Sequence, residues 1–126
     1  MEKEFVSFDQ AVALMYLGFD ERCMAGYDED FGKLYIGFST DDGVLFNPTY
    51  HTLAPLKQQV FRWFREKYEL YYRISGVKQS QYHYSIDYQY KDGKWGMMGG
   101  DITTYEEAEN ACIDKLIEIA KQQTND

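Results

Sequence analysis

Residues 82 to 90 read Tyr-His-Tyr-Ser-Ile-Asp-Tyr-Gln-Tyr, with Tyr or Ile at every even position and His, Ser, Asp or Gln at every odd one. Successive side chains of a β-strand point to opposite faces, so the alternation predicts a strand with one apolar and one polar face. Such a strand cannot stand alone, because its row of aromatic rings needs a sheet around it and helices over it.

The flanking segments supply that sheet. Leu70-Tyr71-Tyr72-Arg73-Ile74 has the same alternation, and Ser75 to Ser80 carries the Gly, Ser and Gln expected of a turn. A hairpin centred there sets Leu70, Tyr72 and Ile74 opposite Ile86, Tyr84 and Tyr82. Beyond the Tyr-rich strand, Lys91-Asp92-Gly93-Lys94 contains the Asp-Gly pair favoured in two-residue hairpin loops. Pairing outward from it sets Tyr90 against Trp95 and Tyr88 against Met97, with all four side chains on the apolar face.

Three helices are expected. Ser7 and Gln10 have capping-box spacing, Val6 is placed to staple against Ala11, and Gly18 suits a C-terminal cap, so the first helix spans about 8 to 18. Pro55 opens the second, whose apolar side is Leu56, Val60, Trp63, Phe64 and Tyr68 and whose other side carries Lys57, Arg62, Arg65, Glu66 and Lys67. The last starts at the Thr104/Glu107 capping pair and lines up Ala108, Ala111, Cys112, Leu116 and Ile119, with 122 to 126 expected to fray. Between the first two, residues 22 to 47 read as strands, with Leu34, Ile36 and Phe38 alternating after a turn at 28 to 32, and 47 to 54 as a loop. The fold class is therefore α+β, an antiparallel sheet packed on one face by helices in the order α-β(β)-α-β-β-β-α, in one domain over 1 to 126.

Charge and motifs narrow the function by exclusion. A net charge of −8 disfavours a protein whose main task is gripping phosphate backbones, and suits a basic partner surface. Cys23 and Cys112 have neither CxxC nor Cys/His spacing, so no disulfide framework or zinc site is indicated. Asp28-x-Asp30-x-Gly32 lacks the later ligands of an EF-hand and reads as a solvated turn. Gly96-Met97-Met98-Gly99-Gly100 lacks the Lys-Ser/Thr ending of a phosphate loop and reads as a strand end with a bulge, Met97 filling core. No stretch approaches a membrane span and the first residues lack a signal-peptide pattern, so a cytoplasmic protein is expected.

His51 falls in a loop and His83 on the polar side of a strand, with no motif marking a nucleophile, so no catalytic residue, metal ligand or cofactor is assigned. The polar side of the sheet is the candidate interaction surface. In the expected register His83 faces Arg73 and Tyr71 faces Ser85, with Asp87 beyond. Arg62 and Arg65 on the second helix complete the candidate set. From residue 55 onward the order helix, three strands, helix is that of a double-stranded RNA-binding domain, but residues 105 to 118 carry Glu106, Glu107, Glu109, Asp114 and Glu118 against one lysine, where duplex recognition needs a basic helix.

A second likeness spans most of the chain. Ser-Phe-Asp-Gln-Ala at 7 to 11, Gly18-Phe19-Asp20, Ala-Pro-Leu at 54 to 56, Gln59 with Trp63-Phe64-Arg65-Glu66, and Thr-Tyr-Glu-Glu-Ala at 104 to 108 resemble a group of small uncharacterised proteins encoded in phages and prophages of gut bacteria. The resemblance implies a phage or prophage origin and carries over no catalytic residues. The leading expectation is a non-enzymatic accessory protein that binds another protein or itself. The alternative is a small domain that binds nucleic acid through Arg62, Arg65 and Arg73 or mimics it with carboxylates.

Overall fold

The computed structural model describes residues 2–28, 30, 32–37, 51–78, 81–89 and 95–124. They form three α-helices and two three-stranded antiparallel sheets, an α+β fold. The chain divides into two compact units, residues 1–57 and 58–126.

In the first unit, helix α1 (Phe8–Tyr16) begins at the expected capping box, with the Ser7 hydroxyl accepting from Gln10 N and the Gln10 side chain accepting from Ser7 N. Val6 and Ala11, the staple pair, are both buried. The helix ends two residues short of the expected boundary. Gly18 has a φ of 93°, Gly18 N donates to Met15 O, and Phe19 N donates to Leu14 O. That is a Schellman closure, with Phe19 and Leu14 buried as its apolar contact.

Strands β1 (Ala25–Asp28), β2 (Leu34–Ile36) and β3 (His51–Leu53) make a sheet in the order β2-β1-β3, hydrogen-bonded separately from the second unit's sheet. The assignment of 47 to 54 as loop is corrected at β3. Three residues are too few to show a period, and β3 exists because it pairs along β1, Gly26 with Leu53 and Asp28 with His51, extended by a bond from Ala54 N to Ala25 O. Tyr27 ties the unit together, its hydroxyl donating to Val6 O at 2.6 Å and its ring meeting Phe8 edge-on at 5.5 Å. At the β1–β2 turn Asp28 Oδ1 accepts from Asp30 N, and Gly32 takes a φ of 64°. Phe38, and Asp41-Asp42-Gly43 whose composition is that of a second turn, lie outside the described residues.

Helix α2 (Lys57–Tyr68) starts after Pro55, which stands ahead of the helix and accepts from Val6 N beside a Phe5–Leu56 bridge. Lys57 is buried, so it does not belong to the exposed basic stripe. Glu69 then turns the chain with a φ of 55°. Strands β4 (Tyr71–Lys78), β5 (Gln81–Gln89) and β6 (Trp95–Ile102) follow as a meander with β5 central, and α3 (Tyr105–Thr124) runs on beyond the expected frayed boundary. Thr104 Oγ1 accepts from Glu107 N at its start. Phe61 of α2 stacks on Tyr72 at 3.8 Å, and Tyr105 of α3 meets Tyr82 edge-on at 5.8 Å. Tyr84, Ile86 and Tyr88 are buried in the same row, and α3 turns Ala108, Cys112, Ile113, Leu116, Ile117, Ile119 and Ala120 inward.

Both expected registers are corrected. In the first hairpin Tyr72 pairs with Ile86 and Ile74 with Tyr84, two residues along from expectation, and β4 continues through Gly76 to Lys78 with a register shift between those two. A two-residue shift preserves the faces. In the second, Tyr88 pairs with Gly96, Ile86 with Met98 and Tyr82 with Ile102, a one-residue slip that moves Trp95 and Met97 to the row of Gln89 and Asp87. The expected register would have set Asp101 opposite Tyr84, placing a carboxylate in the covered row. The observed one sets Ile102 opposite Tyr82 and Asp101 opposite His83. Burial of an unpaired carboxylate costs several kcal/mol, and the observed register avoids it. The Asp-Gly turn itself lies outside the described residues.

Two of the three described positions with positive φ, Gly18 and Glu69, give substitutions of opposite sign. Gly18→Ala should destabilise by about 1 kcal/mol and Glu69→Gly should stabilise by about 0.5–1 kcal/mol, because a β-carbon is disfavoured at positive φ. Urea unfolding midpoints of the two variants measure both effects.

Candidate functional site

Because β4, β5 and β6 alternate, the row next to each covered residue belongs to the opposite face. The pairings arrange it as a grid of three by three positions: Tyr71–Asp87–Met97, Arg73–Ser85–Gly99 and Ser75–His83–Asp101. Asp101 was missed from sequence, since only the correct register brings it to this face; its one signal was its position beside a residue, Ile102, that suits the covered row.

The grid has a charged rim and a small centre. Arg73 reaches Asp87 across the hairpin, Nη2 to Oδ2 at 3.4 Å, with the two side chains 67% and 40% exposed. His83 Nδ1 lies 2.8 Å from Asp101 Oδ1, likewise in the open. These exposed pairs orient side chains and contribute little stability, at most about 1 kcal/mol each. Tyr71 is 42% exposed. Ser85, by contrast, is only 6% exposed. Lys78, paired with Gln81 in the next row, is exposed on the same face, so Arg73 and Lys78 stand against Asp87 and Asp101.

Six of the seven expected surface residues are exposed or half-buried, and Ser85 is the buried one. They do not form one surface. Arg62 and Arg65 sit on α2, whose Phe61 ring stacks on Tyr72 on the covered side, and the Arg65 charge opposes the upward shift that burial imposes on the Tyr72 hydroxyl. Arg73 belongs to the opposite face, so the three arginines do not converge. Lys67 of the same helix stands 5.1 Å from the centre of the Trp63 ring, a cation–π contact within the helix.

His51 is part of β3 in the first unit, opposite Asp28, rather than in a loop. Among the described residues no three His, Cys, Asp or Glu side chains gather as a metal site, and no helix is long and apolar enough to cross a membrane. Both thiols are held protonated. Burial pushes Cys112 up to about 12, with Glu109 adding to it, and burial and then Glu21 do the same for Cys23. A thiol in that state is a poor nucleophile at neutral pH.

In comparisons with known proteins, no family model, no curated protein and no solved structure matches the chain.

The Cys112 shift has a sign. An acid whose folded pKa lies above its unfolded value contributes stability that is fully present below about 9 and is lost as the unfolded thiol ionises between 9.0 and about 12. A thiol reagent at pH 8 should therefore leave Cys112 untouched until urea unfolds the chain. The loss of stability from pH 9 to 11 should be shallower in Cys112→Ala than in the parent.

Proposed function

We propose that this protein is a non-enzymatic binding protein whose open face on β4–β6 contacts another protein. The observation that carries the reading is the contrast between the two faces of one sheet. One is packed by helices, while the other carries Tyr71, Arg73, His83, Asp87 and Asp101, exposed or half-buried. An exposed tyrosine among charged groups is the composition of a protein-binding surface, since tyrosine offers contact area at low entropic cost. The protonated thiols agree with a role without nucleophilic chemistry. An accessory role in a phage or prophage setting is part of the proposal and rests on the sequence resemblance alone.

Nucleic-acid binding is the weaker reading, because the cations are divided between the two sides of the sheet and the net charge is −8. Nucleic-acid mimicry is weaker as well, since Asp87 pairs with Arg73 and Asp101 is hydrogen-bonded to His83 instead of presenting a bare row.

A photo-crosslinking residue placed at Tyr71 should capture a discrete protein from host cells, and the same group at Glu118 on α3 should not. Identical capture profiles at the two positions, or recovery of nucleic acid from Tyr71, would remove the reading.

A further inference from the structure

We draw no further inference here: the strongest candidate, the outer edge of strand β4 with its exposed Tyr71 and Val77, carries no proposal because nothing in the structure shows what covers it.

Discussion

The second unit depends on one row of side chains, Tyr82, Tyr84, Ile86 and Tyr88, spaced two residues apart along a central strand. Three of the four are buried, and each stands beside a partner on either or both of the neighbouring strands. Because the side-chain period of a strand is two, this row allows only registers that keep apolar residues together. Gly96 and Gly100 stand opposite Tyr88 and Tyr84, so two large rings meet positions without side chains, while Ile102 stands opposite Tyr82. The alternative register, one residue away, would bring Asp101 under the helices.

The same constraint shapes the open face. Once the even positions of β5 are committed to the helices, the odd positions His83, Ser85 and Asp87 have no choice but the other side, and β4 and β6 bring Arg73 and Asp101 to them. Opposite charges thus become neighbours across strands, where each restrains the other in water at little energetic gain. The first unit is built on different terms. Its short strands bury little by themselves, and Tyr27 links the sheet to Val6 ahead of α1 through a buried hydrogen bond and to Phe8 at the start of α1 through a ring contact.

Helix starts and stops were legible because caps are local. Ser7 and Gln10 satisfy backbone groups within three residues of themselves, and Gly18 takes a conformation that a β-carbon disfavours, so neither needs information from elsewhere in the chain. The class of each face of the second sheet was legible for the same reason, since alternation along β5 needs no knowledge of what pairs with it. The division of Arg62 and Arg65 from Arg73 was not, because it depends on which side of the sheet α2 packs.

The amino-acid sequence by itself determined the α+β class, the caps, the meander of β4 to β6 and the polar identity of His83, Ser85 and Asp87, all of which follow from contacts or periods within a few residues. Tertiary structure decided the pairing of β3 with β1, the separation of the two sheets, the slip of β6 and the arrival of Asp101 beside His83. Those are long-range pairings. Local preferences there are weak or compete with one another, and the outcome is set by which arrangement keeps carboxylates in water and rings out of it.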